Sequence, residues 1–171
     1  LKVDVGKSDI RYSLTHGGDV IIEPSAISMK LTDGTSFGKN PRLGKSKRRS
    51  VNSVINPPLY RTSQITDRYN ELTLEFKGNY SLVFRAYDDG VAYRFASGIN
   101  KPFMVEYEEV RFDILGNPKA YIPFTKGRKN DGVTDPFYSA FQNVYTHINL
   151  SEWRTDTLAF LPVLIEGVKG K

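Results

Sequence analysis

The chain has 171 residues, of which 39% are hydrophobic and 12% aromatic, with a net charge of +5 and no cysteine. This composition predicts one globular domain, 1–171, and excludes a disordered chain. No apolar run reaches the ~20 residues of a membrane-spanning helix, and the lack of cysteine excludes disulfides, zinc-thiolate sites and thiol nucleophiles. The first residue is Leu1 and not Met, so we expect a piece of a longer protein without its signal peptide.

Period-two alternation of apolar and polar side chains predicts strands from the beginning of the chain. Residues 10–14 alternate, and the turn HGGD followed by VIIE completes a predicted hairpin. We expect Pro24 to break that run, because proline cannot donate to a strand ladder. A further alternating set over residues 27–31 follows it.

The positive charge is concentrated in GKNPRLGKSKRRS, residues 38–50. Six of the 24 basic residues lie there without an acidic one, which leaves 18 basic against 19 acidic residues elsewhere. Because residues 37–58 show little periodicity, we interpret them as a long excursion whose basic part, 39–49, is a solvated mobile loop. Binding of an anionic polymer is the alternative. Glycine and proline interrupt the tract and no aromatic residue is available to stack on bases, so we expect no nucleic-acid partner.

The stretch FRAYDDGVAYRF, residues 84–95, predicts the second turn of a three-stranded meander. Its apolar side chains share one face only if the loop has an even number of residues. A two-residue loop would set Arg85 opposite Arg94, whereas a four-residue loop sets Arg85 opposite Ala92 and avoids the repulsion. We therefore predict the four-residue loop, with Gly90 at a positive φ and the Asp side chains capping turn amides.

Later segments predict further strands and one short helix. Residues 105–112 and 119–124 read as strands separated by the turn LGNP. SEWRTDTLAF predicts one or two helical turns with Ser151 as N-cap, followed by a strand in LAFLPVLIE. Strands that recur every 8–12 residues are typical of an all-β sandwich, which is the predicted fold class.

Asp88 and Asp89 raise the question of a catalytic carboxylate pair. Adjacent residues on an extended chain point to opposite faces, whereas the acid and base of a glycosidase converge on one bond from ~5 to ~9.5 Å apart. We therefore interpret both residues as part of a turn.

Other polar residues give weak indications of a site. Glu106 and Glu108 share a strand face that a hard cation could use, although exposed strand carboxylates are commoner. Asp131 and Asp135 resemble half a calcium site, but the spacing does not match an EF-hand. His147 could line a pocket. No nucleophile elbow, phosphate loop, dinucleotide motif or metalloprotease motif occurs, so we predict no catalytic, cofactor or metal residues in this chain.

RYSLTHGGDVIIEPSAISMKLTDG, YNELTLEF, YSLVFRAYDDGVAYRF and LSEWRTDTLAFLPVLIEG occur in an order and spacing that resemble the N-terminal domain of glycoside hydrolase family 97. FRAYDDGVAYRF is the most specific of them. The resemblance implies an all-β, antiparallel β-super-sandwich, similar to galactose mutarotase, with few short helices. It also implies a secreted or periplasmic bacterial α-glycosidase, an α-glucosidase or α-galactosidase of the kind common in Bacteroides.

The resemblance further implies that the catalytic carboxylates lie in a (β/α)8 barrel that follows this domain and that this chain lacks. In the family, an active-site calcium is bound partly by a glutamate just after a segment like LPVLIEG. We do not assign that role to Glu166, and we expect no calcium in this fragment.

Two hypotheses follow for the chain. The first is a non-catalytic domain that supports the barrel of the same polypeptide and helps to form its pocket for an oligosaccharide substrate. The alternative is a stand-alone carbohydrate-binding or cell-surface interaction module. The residues that we predict to contact sugar are His147 and Trp153.

Overall fold

Antiparallel strands dominate the structure, a computed structural model that describes residues 1–130, 132–138 and 142–167. Contacts divide the chain into two compact units, one of Leu1–Leu14 and Pro24–Phe112, the other of Thr15–Glu23 and the described residues from Asp113 onward. The prediction of an all-β antiparallel fold is confirmed. The single domain over 1–171 stays a prediction. Among the described residues no helix is long and apolar enough to cross a membrane.

The first nine strands form two open sheets. They are β1 (Lys2–Val5), β2 (Ile10–His16), β3 (Asp19–Leu31), β4 (Ser36–Phe37), β5 (Leu43–Ile55), β6 (Ile65–Phe76), β7 (Tyr80–Ala86), β8 (Val91–Ser97) and β9 (Val105–Val110). One sheet has the order β1-β2-β3-β4, with β9 also paired to β3, and the other has the order β5-β6-β7-β8.

Aromatic side chains join the two sheets within the first unit. Phe37 of β4 stacks on Tyr80 of β7 with ring centroids 4.5 Å apart, and Tyr12 of β2 lies 6.4 Å from Phe84 of β7. Two sheets that face each other through alternate side chains make a β-sandwich. The least exposed large side chains of this core are Ile10, Ile27, Leu31, Phe37, Leu82 and Phe84.

The predicted hairpin of β2 and β3 is present, with Gly17 and Gly18 at positive φ in its turn. The prediction that Pro24 breaks the run is wrong, because β3 continues through it. Hydrogen bonds on either side of Pro24 hold the strand. Glu23 donates its backbone N–H to the Asp113 carbonyl at 2.7 Å, and the Ala26 carbonyl accepts the backbone N–H of Arg111, the residue after β9, at 3.4 Å. A proline is tolerated where the ladder does not require its own N–H.

The basic stretch is a strand from Leu43 onward, so the predictions of a long excursion and of a mobile loop are wrong for most of it. β5 pairs with β6 from Leu43 to Ile55. It is an edge strand that is exposed at nearly every position, and therefore neither face needs the apolar alternation that marks a half-buried strand. Lys47 pairs with Glu75 across the ladder, and Arg49 lies opposite Glu71.

The meander and its four-residue loop are confirmed. Arg85 of β7 lies opposite Ala92 of β8, and the Tyr87 N–H donates to the Gly90 carbonyl at 2.8 Å. Two finer predictions are wrong. Gly90 does not have a positive φ, because this backbone hydrogen bond closes the loop without it. Asp88 pairs with an arginine of β6 instead of capping a turn amide.

The second unit contains a three-stranded sheet and a hairpin. Their strands are β10 (Lys119–Ile122), β11 (Arg128–Asn130), β12 (Val133–Asp135), β13 (Thr146–Asn149) and β14 (Leu164–Ile165). The sheet has the order β13-β10-β14, and β11 pairs with β12. Thus the predicted strands over 105–112 and 119–124 are present with earlier ends, and the strand expected in LAFLPVLIE is reduced to β14.

A single 3-10 turn, Leu150–Glu152, stands where one or two helical turns were predicted. Its N-cap is Asn149 and not Ser151. The Glu152 carboxylate accepts the Asn149 backbone N–H at 2.8 Å, as in a capping box. Ser151 is instead held by Asn117, whose side chain accepts from the Ser151 N–H and donates to its hydroxyl, both at 2.9 Å.

Candidate functional site

His147 lies on an exposed face of the sheet in the second unit. The register sets it opposite Tyr121, and sets Tyr121 opposite Leu164. Directly opposed residues of antiparallel strands share a face. This face is open to solvent, because the Tyr121 residue is 37% exposed and the Leu164 residue is 62% exposed.

Tyr121, His147 and Glu166 are in direct contact, and we refer to them as the Tyr-His-Glu cluster. The rings of Tyr121 and His147 are stacked, with centroids 4.2 Å apart and planes 6° from parallel. His147 Nε2 lies 2.7 Å from Glu166 Oε1. The Glu166 backbone is fixed beside them, because its N–H donates to the Lys119 carbonyl at 2.9 Å. Three separate segments of the chain, β10, β13 and the residue after β14, therefore position the cluster.

The chemistry of the Tyr-His-Glu cluster suits binding rather than catalysis. A phenol hydroxyl, an imidazole and a carboxylate can exchange hydrogen bonds with sugar hydroxyls, and the aromatic surface can contact sugar C–H groups. In the described part of the chain, no group of three or more His, Asp or Glu side chains could hold a metal ion. A cluster with one carboxylate also lacks the pair that glycoside hydrolysis requires.

Trp153 makes its contacts elsewhere in the same unit. Its ring meets Phe124 edge to face with centroids 5.8 Å apart, and Nε1 donates to the Thr157 carbonyl at 3.5 Å. The side chain is half-buried. The ring contacts and hydrogen bonds of Trp153 and His147 involve different partners, so the structure does not bring the two predicted residues together in one cluster.

The remaining acidic candidates have other partners. Asp88 pairs with an arginine of β6, and Glu106 pairs with a lysine of β3 at 3.0 Å. Asp135 Oδ1 accepts the backbone N–H of the residue two positions later at 2.8 Å, which is an Asx turn. Asp131, the other half of the predicted calcium site, lies outside the described residues.

Half of the basic tract is also neutralised locally. Of its six cations, Lys39 pairs with Glu109 at 2.6 Å, and two others pair with Glu71 and Glu75 of β6. An anionic polymer would have to displace these carboxylates. The pairing therefore disfavours the anionic-polymer hypothesis.

Neither the part of Tyr121 in this cluster nor the contact of Glu166 was predictable from the sequence. The alternation in KAYIPF placed Tyr121 in a strand, but alternation carries no information about which strands lie beside it. β10 contacts both β13 and β14, and only this long-range pairing brings the cluster together.

A family model described as Glycosyl-hydrolase 97 N-terminal matches residues 1–171, the whole chain. The chain belongs to the N-terminal domain family of glycoside hydrolase 97. The resemblance that rested on FRAYDDGVAYRF and its companion stretches is thus confirmed. A retaining alpha-galactosidase of Bacteroides thetaiotaomicron is 38% identical over 161 residues, which are 94% of this chain and 24% of that protein. A probable retaining alpha-galactosidase of Streptomyces bingchenggensis is 28% identical over 99 residues, 56% of this chain and 15% of that protein.

Solved structures have the same fold at low sequence identity. A glycoside hydrolase family 97 enzyme from Pseudoalteromonas sp. strain K8, in complex with panose, gives a TM-score of 0.69 at 21% identity over 88% of this chain and 23% of its own. A beta-arabinopyranosidase gives 0.70 at 21% identity over 85% of this chain and 24% of its own. The chain therefore spans at most about a quarter of the length of each of these relatives.

Proposed function

We propose that the chain is a non-catalytic N-terminal domain of a family 97 α-glycosidase that supports the catalytic barrel and helps to form its sugar pocket. The observation that carries the proposal is the mismatch of coverage. The family match covers the whole chain, but the chain covers 24% of its galactosidase relative. The remaining three quarters of such a protein have room for the hydrolytic machinery.

The Tyr-His-Glu cluster supports a role in contacting sugar. It combines aromatic surface with hydrogen-bonding groups and keeps 37% of the His147 and 45% of the Glu166 side chain exposed. We propose that His147 contacts the oligosaccharide, with Tyr121 and Glu166 fixing the orientation of its ring. A wall of this kind acts by positioning the substrate and excluding water. Sugar contact by Trp153 stays a prediction.

The family resemblance implies calcium in the full-length enzyme. The described residues do not fit a calcium site of their own, because no three acidic or histidine side chains converge, whereas calcium takes 6–8 oxygen ligands. We derive no role for the ion in this chain.

The supporting role is tested by hydrolysis of nitrophenyl α-galactoside and α-glucoside. The 171-residue chain is compared with a polypeptide that continues into the following barrel. We expect turnover only from the longer polypeptide. Hydrolysis by the chain alone would overturn the proposal.

The sugar contact is tested with His147→Ala in the longer polypeptide. Loss of one hydrogen bond to substrate costs about 1 kcal/mol, so we expect kcat/KM to fall roughly 5-fold, mainly through KM. Thr146→Ala, the adjacent residue on β13, is the matched control because its side chain points to the other face. Equal kinetics for His147→Ala and the unchanged enzyme would contradict the contact.

A stand-alone carbohydrate-binding module is the second candidate. The observation that favours it is the number of exposed aromatic residues, including Tyr60 at 69% and Tyr107 at 61%. It predicts that the isolated chain binds a glycan at better than roughly millimolar affinity. It also predicts that truncation of one exposed aromatic residue abolishes that binding. The supporting role instead predicts that the isolated chain binds glycan more weakly than this millimolar level.

We also propose a periplasmic or secreted location, which rests on the family resemblance and on the bacterial relatives. Fractionation of the producing cells with an antibody against the domain tests it. Recovery of the protein with the cytoplasm would refute this location.

A further inference from the structure

The FRAYDDGVAYRF hairpin brings two arginines to the outward face of its sheet. Arg85 lies opposite Ala92, and Arg94 lies opposite Val83. Phe84, which alternates with them, is 2% exposed and faces the core. Because successive side chains of a strand point to opposite faces, both guanidinium groups are directed away from the core.

A shallow groove of about 170 Å³ lies between these arginines. We call it the arginine groove. The side chains of Ala92 and Val83 are short, so the two long arginines and Tyr87 rise around them. Its lining residues are Val83, Arg85, Tyr87, Ala92, Tyr93 and Arg94.

Arg85 is held in place before any ligand arrives. Its Nε donates to Glu71 Oε2 at 2.8 Å, and its Cζ lies 4.2 Å from the centre of the Tyr69 ring. The Tyr87 ring packs beside Tyr69 with centroids 5.2 Å apart. Hydrogen bonding to Tyr87, followed by that to Glu71, raises the pKa of Arg85. The arginine groove thus has one fixed cation beside an aromatic wall, and a fixed group loses little entropy on binding.

The charges around the groove do not balance. Glu71 also accepts hydrogen bonds from Arg49, at 2.7 and 3.0 Å. Arg94 makes no ion pair within the part of the chain that the structure describes. Arg49 and Arg85 therefore share the Glu71 carboxylate, Arg94 on the same face has no anionic partner among the described residues, and an added anion would lower the repulsion among the three guanidinium groups.

We propose that the arginine groove binds a carboxylate-bearing saccharide, a uronic acid residue whose carboxylate lies against Arg94 and whose ring lies against Tyr87. Arginine recognises carboxylates through two parallel N–H donors, and a tyrosine ring suits the C–H groups of a sugar. The arginine groove lies in the first unit and shares no residue with the Tyr-His-Glu cluster of the second unit. It adds recognition of an acidic sugar to the proposed support of the barrel.

The test is calorimetric titration of the 171-residue chain with methyl glucuronide, methyl glucoside and acetate. We expect the glucuronide to bind with a Kd on the order of 1 mM at low salt, and the other two to bind at least roughly 10-fold more weakly. Added salt should weaken the binding of the glucuronide. Equal binding of the glucoside, or no binding of the glucuronide, would overturn the proposal. Equal binding of acetate would overturn its saccharide part.

Variants tie the binding to the arginine groove. Arg94→Gln should weaken the binding of glucuronide at least about 10-fold, because two charge-assisted hydrogen bonds are lost. Arg94→Lys keeps the charge without the two parallel donors, so its Kd should lie between that of the unchanged chain and that of Arg94→Gln. Arg61→Gln removes an exposed arginine from the same unit outside the groove and should leave the Kd unchanged. If Arg61→Gln and Arg94→Gln weaken binding equally, the effect is one of net charge and the site is wrong.

Discussion

Glu71 is the shared anion of two arginines, and Glu71→Gln removes its charge while keeping its shape. The carboxylate accepts from Arg49 Nε at 2.7 Å and from Arg85 Nε at 2.8 Å, and the Glu71 side chain is only 8% exposed. In the variant the two guanidinium groups lose their common partner and repel each other. We therefore expect a lower free energy of unfolding.

The size of the loss follows from the pKa of Glu71. Hydrogen bonding to Arg49, with a further contribution from Arg85, lowers this pKa from 4.5 to about 2. A shift of that size corresponds to about 3 kcal/mol of unfolding free energy without screening by solvent. Solvent screens the interaction with Arg49, whose side chain is 58% exposed. The expected loss at neutral pH is therefore roughly 1–2 kcal/mol.

The pH dependence has a definite sign. Because the pKa is lower in the folded state, the contribution of Glu71 is complete above its ordinary value of 4.5 and is lost as the pH falls towards about 2. The difference between the unchanged chain and Glu71→Gln should therefore shrink over that window.

Urea unfolding followed by far-ultraviolet circular dichroism measures both quantities. Glu106→Gln is the control, because the ion pair of Glu106 with Lys30 leaves the two side chains 48% and 51% exposed and should contribute less than ~0.5 kcal/mol. Our reasoning is refuted if Glu71→Gln costs no more than this control at neutral pH. It is equally refuted if the cost stays constant down to about pH 3.

Three further substitutions test the packing and the turns by the same unfolding measurement. Phe37→Ala should cost ~3–5 kcal/mol, because the ring is 1% exposed and stacks on Tyr80 at 4.5 Å; a cost below ~2 kcal/mol would contradict this core. Gly38→Ala should cost about 2 kcal/mol or more, because Gly38 has φ +84° and an added Cβ would lie 2.6 Å from the Ile27 carbonyl oxygen; tolerance would show a different backbone there. Gly90→Ala should change stability by less than ~0.5 kcal/mol, because its φ is not positive and nothing lies within 4 Å; a larger loss would restore the left-handed glycine that the turn motif suggests.

The hairpin register was predictable from the sequence because its determinants are local. The even-loop rule and the repulsion between Arg85 and Arg94 both act within twelve residues, and together they select the observed four-residue loop. The conformation of Gly90 was not predictable by the same rules. More than one backbone path closes a four-residue loop, and the hydrogen bond from Tyr87 to Gly90 selects a path without positive φ.

β5 was missed because an edge strand need not have the pattern that reveals other strands. Its side chains are exposed on both faces, so no apolar residues are needed at alternate positions. The sequence of β5 therefore lacks the alternation that predicts a strand. The information lies in its partner: Glu71 and Glu75 on β6 complement Arg49 and Lys47. Such complementarity becomes visible only when the pairing is known, and the long segment between the strands hides it.

The candidate site likewise has one residue that was predictable from the sequence and others that were not. His147 could be singled out by residue type, whereas its neighbours could not. Tyr121 reaches it through the pairing of β10 with β13, and Glu166 through the path of the chain after β14. A site assembled from three segments has no spacing signature in the sequence. Family membership was easier to predict than the site because the stretches that carry it are contiguous.

The two arginines of FRAYDDGVAYRF link the fold to the proposed acidic-sugar site. The four-residue loop keeps Arg85 and Arg94 from direct opposition, yet it leaves them as neighbours on one face. Diagonal neighbours on a sheet face lie farther apart than directly opposed residues, so this loop lowers the cost of two like charges without removing it. Glu71 offsets the repulsion for Arg85 and Arg49 but is already shared by those two. The contacts of Arg94 therefore give its charge no role in folding. The proposed binding of a ligand carboxylate would account for that charge.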